Sequence, residues 1–435
     1  MSDPLFATIL ENPDDDAARL VYADWLEEHG QQERGELIRV QCERARLPDD
    51  DDRQRELFFR EEALLAAHGK DWLGKLKPLV KECRYERGFV AWVSLPGRAF
   101  LEKAEKLFAL APLRGIQLTH LGMGKFPAAD LAAVPQLARL RSLQLRGAMR
   151  DAPTRTVLQS PHVQQLERLH LEDTACGEGT IRHLWAKALP QLQTLEFYGE
   201  GLSVHAELLS QPKIPLREYA VTSMSGVFHR DRVIALARTK ALAGLTHLNL
   251  RNSPAQVPGA TALANSKVMS NLRELVLRSA SIGVTGMGAI AASPHMANLT
   301  TLNVRTNHFG INGLRALVES QHLTKLNHLE LGNNDLDARA VPLLRGWSGL
   351  ARVRSLDLSD NQIPDGATAE FLRAPELANL WHLSLGNNPL GREAAQVLLT
   401  APHLDRLCSL QLQNTGTGAF SKRLQHRFGD RVTPD

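Results

Sequence analysis

The sequence predicts an α/β solenoid built from repeated strand-and-helix units. Three observations predict it. Four segments share one frame in strict register: LTTLNVRTNHF from Leu299, LNHLELGNNDL from Leu326, VRSLDLSDNQI from Val353 and LWHLSLGNNPL from Leu380, each starting 27 residues after the last. The frame is apolar at its first, fourth and sixth positions, which is how a short strand with one buried face is written. The second halves of the repeats, such as GINGLRALVESQHL and GREAAQVLLTAPHL, space apolar residues as an amphipathic helix does. A chain of 435 residues is too long for one ordinary compact core but normal for a solenoid, which grows by adding units.

The ninth position of the frame holds Asn307, Asn334, Asn361 and Asn388, and an apolar residue follows two positions later. These are read as structural: each amide can bond the backbone where the chain turns away from the sheet. The frame L-x-x-L-x-L-x-x-N-x-L resembles the leucine-rich repeat. Tracing it outward gives starts at Leu113, Leu140, Leu166, Leu192, Leu216, Leu245 and Leu272, with a weaker first repeat at Val90 and a last one at Leu407. That makes about 13 repeats over residues 89–435, with a C-terminal cap near 415–435. Repeat lengths of 24 to 29 resemble the ribonuclease-inhibitor-like class. The resemblance implies a right-handed horseshoe with a parallel concave sheet and outer helices. The repeats at Leu192 and Leu216 depart from the frame, with Gln211-Pro212 and Ile214-Pro215 interrupting the outer helix. They read either as drift under weak packing constraint or as a bend that meets a partner.

Residues 1–88 do not repeat and predict an α-helical module. Leu5, Phe6, Ile9 and Leu10 share one helical face; Asn12-Pro13-Asp14 ends that helix and begins the next. A mostly apolar helix runs to Glu28 and stops at Gly30, a third passes through Leu37 and Ile38 to Leu47, and a fourth spans about Arg53 to His68. The acidic run Asp49 to Asp52 reads as solvated linker. Leu5, Asn12, Pro13, Asp15, Leu20, Tyr22-Ala23-Asp24-Trp25-Leu26, Gly30 and Arg34-Gly35-Glu36-Leu37-Ile38 resemble a small helical repeat-companion domain of bacterial proteins, found beside leucine-rich repeats. The closing LQHRFGDRV resembles the usual end of such proteins. The resemblance implies an architecture and carries no activity. Physically, the module predicts a cap over the apolar edge of the first repeat.

Chemistry is harder to find. There is no H-E-x-x-H, no C-x-x-C and no G-x-S-x-G. Around Gly124-Lys125 a phosphate loop fails, because Thr119 stands where Gly is needed and Phe126 where Ser or Thr is needed. His229-Arg230-Asp231 spells a kinase catalytic triplet, but Leu236 replaces the required Asn. The reading is therefore a non-enzyme with no cofactor and no metal. Cys42, Cys83, Cys176 and Cys408 lie far apart and read as reduced structural thiols. Without a basic leader or a run of ~20 apolar residues, the expectation is a cytoplasmic protein that does not enter a membrane.

The partner face is predicted from strand geometry. Positions three, five and seven of each strand point away from the core, onto the concave face. Arg251, Arg278 and Arg305 fall at position seven of consecutive repeats. Stacked ~5 Å apart, neighbouring guanidinium groups repel by about 0.8 kcal/mol even with the full screening of water. Such a row suits an acidic segment, a carboxylate or a phosphate on a partner; the competing reading is a solvated charged row. His247 and Glu274 flank it, and Tyr198, Arg168 and His170 belong to an earlier mixed group; Tyr and Arg are the types favoured at binding hot spots, which singles out Tyr198 and the Arg row. Small residues after Arg305, namely Gly332, Ser359 and Gly386, would let a partner's backbone approach. Three functions follow in order. The first is a scaffold that binds another protein of unknown identity on the concave face. The second, by fold analogy alone, is a regulator of an enzyme such as a GTPase activator or a protease adaptor. The third is anion or nucleic-acid binding through the Arg row, which the near-neutral net charge of +3 disfavours.

Overall fold

The structure is a computed structural model that describes residues 4–48, 51, 53–122, 126–186, 188–199, 206–223 and 228–433. Asp49, Asp50 and Asp52 of the acidic run, Met123 to Lys125 of the tested phosphate loop and residues 224–227 of the irregular repeat lie outside the described residues. The chain forms two compact units, Met1–Gln193 and Thr194–Asp435.

The first unit opens with four helices: α1 (Pro4–Glu11), α2 (Asp16–Glu28), α3 (Gln32–Arg46) and α4 (Arg53–Trp72). Asp15 caps α2, its carboxylate accepting from the Ala17 amide at 2.8 Å. Gly30 ends the helix with φ +77°. Ile9, Ala23, Leu26, Ile38 and Cys42 bury together with Phe89, and Phe6, Tyr22 and Trp25 pack against them. Phe89 lies outside the helical stretch, so the helices take part of their core from the chain that follows.

That chain is a hairpin. β1 (Glu82–Glu86) runs antiparallel to β2 (Phe89–Pro96). Its two-residue loop, Arg87-Gly88, has both φ values positive, at 49° and 84°, the backbone of a tight hairpin turn. The sequence reading gave residues 1–88 as an α-helical module, with helices to about His68 and no strand; Glu82–Glu86 is a strand, because pairing with β2 satisfies a backbone edge that no helix covers. β3 (Gly115–Thr119), β4 (Ser142–Arg146) and β5 (Arg168–Glu172) follow in parallel order after β2. The helices are tied to these repeats by long side chains. Arg114 Nε donates to Asp14 Oδ1 at 3.2 Å, and Arg139 donates to the carbonyls of Leu10 and, at 3.3 Å, Phe108.

Among its described residues the second unit carries ten strands: β6 (Thr194–Gly199), β7 (Glu218–Ser223), β8 (His247–Asn249), β9 (Glu274–Val276), β10 (Thr301–Asn303), β11 (His328–Glu330), β12 (Ser355–Asp357), β13 (His382–Ser384), β14 (Ser409–Gln411) and β15 (Val432–Thr433). Each lies parallel to the next. The fourth-position leucines of the frame, Leu248, Leu275, Leu302, Leu329, Leu356, Leu383 and Leu410, form one aligned row that is at most 1% exposed. Burying each contributes about 1.5–3 kcal/mol. Helices such as Gly310–Val318 and Arg392–Thr400 follow the strands, with Leu314, Leu317, Ala394 and Leu398 buried. This is an α/β leucine-rich-repeat solenoid. After β14 the helix Ser421–Phe428 buries Leu424 and Phe428, and Arg431 donates to the Leu407 carbonyl at 2.9 Å.

The ninth-position asparagines are buried and bridge repeats. Asn334 Nδ2 donates to the carbonyls of Val304 at 2.9 Å and Leu331 at 3.0 Å, and its Oδ1 accepts from the Asn307 amide at 2.9 Å. Asn307, Asn361 and Asn388 repeat the pattern, each donating to its own repeat and to the one before. A second ladder runs through serines. Ser266, Ser293 and Ser320 donate to the carbonyls of Ala237, Ala264 and Ala291 in the preceding repeat. Their oxygens also accept from the first amides of the short turns that follow, at 3.1–3.2 Å.

Candidate functional site

The strand face of the second unit holds the candidate site. A parallel strand with its fourth and sixth residues inward must turn its third, fifth and seventh outward. Arg251 is exposed, and Arg278 and Arg305 are half-buried. Their surroundings differ. Arg305 is neutralised within the molecule: it pairs with Asp357 and Asp360 and donates to Ser359 Oγ at 2.7 Å. Arg251 and Arg278 have no carboxylate within ion-pairing distance among the described residues. The guanidinium of Arg278 is pulled below its ordinary value by burial first, then by the charges of Arg251 and Arg305. A pair of cations without direct ion pairs among the described residues therefore stands beside a paired one, with Glu330 and Asp357 acting on Arg278 only at longer range.

Glycine explains how Arg305 reaches two repeats away. Its partners sit in the repeat that begins at Val353, past the one that begins at Leu326. Gly332 stands at position seven between them, and a Cβ there would lie 2.7 Å from Arg305 Nη1 and 2.9 Å from Asp357 Oδ2. The space that the sequence reading left for a partner's backbone is filled by the arginine. Beside Gly386 the space is likewise taken, by Gln413, whose Cδ would meet a Cβ at 2.8 Å.

The acids form a second feature. Glu330 and Asp357 are register partners on β11 and β12. Glu330 keeps an exposed edge but is crowded: burial and then the Asp357 charge raise its pKa above the usual 4.5. Asn303 Nδ2 donates to its carboxylate. The two acids, with His382, Ser384 and Gln411, line a polar groove of about 260 Å³. Burial lowers the His382 pKa, so its imidazole is neutral at pH 7. The face is thus cationic at β8 and β9 and acidic at β11 and β12.

The other residues singled out from the sequence fall in both units. His247, on β8, accepts or donates at Nδ1 with Thr246 Oγ1 at 2.9 Å and lies 3.9 Å from Glu218. Glu274 lies on β9 as its register partner. Tyr198 lies on β6 of the second unit, half-buried. Arg168 and His170 are on β5 of the first unit, exposed and half-buried respectively. On that unit's strand face Glu172 is engaged by Arg146 at 3.2 Å and Gln144 at 3.3 Å. Trp92 is 9% exposed, under Arg84 at 4.3 Å and against Gly115, where a Cβ would lie 2.5 Å from its ring. Glu330, Asp357, Asp360 and His382 were not chosen from the sequence. The signal was present as two acids at position five of consecutive repeats, beside the arginine row.

Chemically the face offers charge and hydrogen bonding. Among the described residues no group of three His, Cys, Asp or Glu side chains is placed to hold a metal ion. All four cysteines are unbridged, and no described helix is long and apolar enough to cross a membrane.

Comparison with known proteins agrees with this architecture. A family model described as a leucine-rich repeat matches residues 295–318. Among solved structures, a chain of the yeast Rad7–Elc1 complex is similar at 13% identity and a TM-score of 0.51, covering 96% of this chain and 95% of that one. An internalin, InlF of Listeria monocytogenes, is similar at 16% identity and a TM-score of 0.37, covering 78% of this chain and 93% of that one. No curated protein matches. The chain is a protein of leucine-rich-repeat fold.

Proposed function

We propose that this protein is a non-enzymatic scaffold of the bacterial cytoplasm that recognises another protein through its concave strand face. Residues 1–88 serve as its N-terminal repeat-companion cap and residues 89–435 as the recognition array. The partner offers an acidic segment, and the cations that take it are Arg251 and Arg278, flanked by His247 and Glu274. One observation carries the reading: of three stacked arginines, Arg305 already has its carboxylates, and the other two have none within ion-pairing distance among the described residues. A bidentate carboxylate would relieve the repulsion between neighbouring guanidinium groups and use the planar fork that distinguishes Arg from Lys. Support for a protein partner comes also from the fold itself, whose parallel strands in the second unit lie side by side and turn aligned rows of side chains outward.

The test uses two charge reversals and leaves Arg305 alone. Wild type and Arg251→Glu/Arg278→Glu are compared by capture from native lysate, with circular dichroism confirming that both are folded. The captured protein is then purified and titrated against each. The expected result is at least about tenfold weaker binding by the variant, since reversing charges against an acidic site adds repulsion to lost attraction. Equal affinity would remove the arginines from the interface. Stimulated nucleotide hydrolysis by a captured GTPase would redirect the reading to enzyme regulation.

A further inference from the structure

The first unit contains a pocket that the strand-face reading leaves untouched. It measures about 350 Å³ and lies among the cap helices and the start of the array. Its lining includes the side chains of Phe6, Tyr22, Trp72, Phe89 and Pro112, while polar atoms, among them those of Gln31, Arg34 and Asp71, make up the larger share of its exposed wall. One strong cation lines it, Arg34. The Arg34 guanidinium is enclosed by ring faces, 5.0 Å from the Trp72 centroid, 5.3 Å from Phe89 and 5.5 Å from Tyr85. No carboxylate lies within ion-pairing distance of it among the described residues. Its Nη1 is sealed from bulk water and has no hydrogen-bond acceptor.

The contrast with Arg19 is informative. Arg19 packs over Phe89 at 5.1 Å and is also buried, but its terminal nitrogens donate to the carbonyls of Arg87 at 2.9 Å and Pro13 at 2.6 Å. Arg19 is a structural clamp whose two terminal nitrogens are satisfied, with only Nε lacking an acceptor. In Arg34 the terminal Nη1 lacks one, and the Tyr85 hydroxyl is the side-chain group within hydrogen-bonding reach of the guanidinium. Ring faces favour a cation but accept no N–H in its plane, so stacking accounts for the position of Arg34 and not for its open donor. Desolvation without a counterion also lowers its pKa, with Tyr85 and Tyr22 as the opposing influences.

We propose that this pocket binds an organic monocarboxylate with an apolar body, its carboxylate on Arg34 and its body against Trp72, Tyr22 and Phe89. A single guanidinium balances a single charge. Asp71 at the same pocket disfavours a dianion such as a phosphate monoester. A volume near the lower end of the ~300–1,000 Å³ range of ligand pockets suits a compact body of one or two rings. The carboxylate can belong to a free acid or to the end of a peptide chain.

The experiment titrates the full chain with 3-phenylpropionate and with its neutral amide, followed by tryptophan fluorescence and calorimetry. Two short peptides ending in Phe, one with a free and one with an amidated C-terminus, form the second arm. The expected result is saturable binding of an acid at least about tenfold tighter than its amide, with a change in Trp72 emission. A preference confined to the free-ended peptide assigns the ligand to chain ends; one confined to the small acid assigns it to a metabolite. Acid and amide binding alike, or no binding of any probe at about 10 mM, overturns the proposal. Arg34→Met, where folded, is expected to erase the acid preference, and an undiminished preference in it also overturns the proposal. The acid–amide comparison decides on wild type alone if that variant does not fold.

Discussion

Single side chains carry the sharpest consequences. Asn334 is fully buried, and its side-chain amide serves four backbone groups in two successive repeats, the Asn307 amide and Val304 carbonyl in one and the Leu331 and Gly332 carbonyls in its own. Removing it leaves buried carbonyls and an amide without partners, each costing about 1–3 kcal/mol. Asn334→Ala is therefore expected to lower unfolding free energy by about 3 kcal/mol or more, read from urea denaturation against wild type. Glu330 gives a pH prediction. Its folded pKa is raised by burial and by Asp357, so the folded state holds its proton more tightly than the unfolded chain does. The linkage sign follows: its contribution favours folding at pH below the unfolded value and is lost as pH rises through the raised folded value. The same protonation removes a negative charge from a face that also bears Arg251 and Arg278. Affinity for an acidic partner is expected to rise as pH falls from 7 toward the raised pKa, and Glu330→Gln should flatten that slope in binding titrations.

At the scale of elements, the hairpin of β1 and β2 joins cap to array. Gly88 has φ +84°, and a Cβ there would lie 2.1 Å from Ile38 Cγ1 and 2.8 Å from Ile38 Cα. Its amide donates to the Gln41 side chain at 2.6 Å, and Gln41 in turn donates to the Tyr85 carbonyl at 3.2 Å. Helix α3 thus rests directly on the turn. Gly88→Ala combines backbone strain with a clash against main chain, and the expected loss is on the order of 3 kcal/mol, seen as a lower thermal midpoint and faster proteolysis of the N-terminal helices. The strands and most helices were legible in the sequence, because a period of two followed by a period of 3.6 leaves little freedom. From β3 to β14 every strand begins two residues after the start traced in the sequence. The hairpin was not legible, since Arg87-Gly88 sits between short runs whose only common feature is pairing with each other. The serine ladder left a fainter mark, the Ser-Pro-His triplets at Ser160 and Ser293, which a search for the leucine frame passes over.

At the scale of the whole molecule, repetition makes position in the sequence a map of the strand face. One position taken in every repeat gives a row of neighbours, and the arginine row is one of these. What the rows omit is reach along the array. Arg305 takes its carboxylates from two repeats further on, at positions five and eight of the Val353 frame, and a reading of position seven alone shows three equivalent arginines. The candidate site was therefore legible as a row and illegible as a division of labour within it. The open donor of Arg34 lay beyond sequence altogether, because nothing in Arg-Gly-Glu-Leu-Ile distinguishes an arginine with an acceptor from one without.

The crossing of Arg305 over Gly332 also bears on how such a chain can change over generations. An array whose units touch only their neighbours tolerates the duplication or loss of a single unit by recombination. Here the segments beginning at Leu299, Leu326 and Val353 share one cation and its two counterions, so deleting the middle one moves the acids out of reach or into collision, and an inserted copy strands them. These three segments are inherited as one block, and length variation among descendants of this chain is expected to fall outside it.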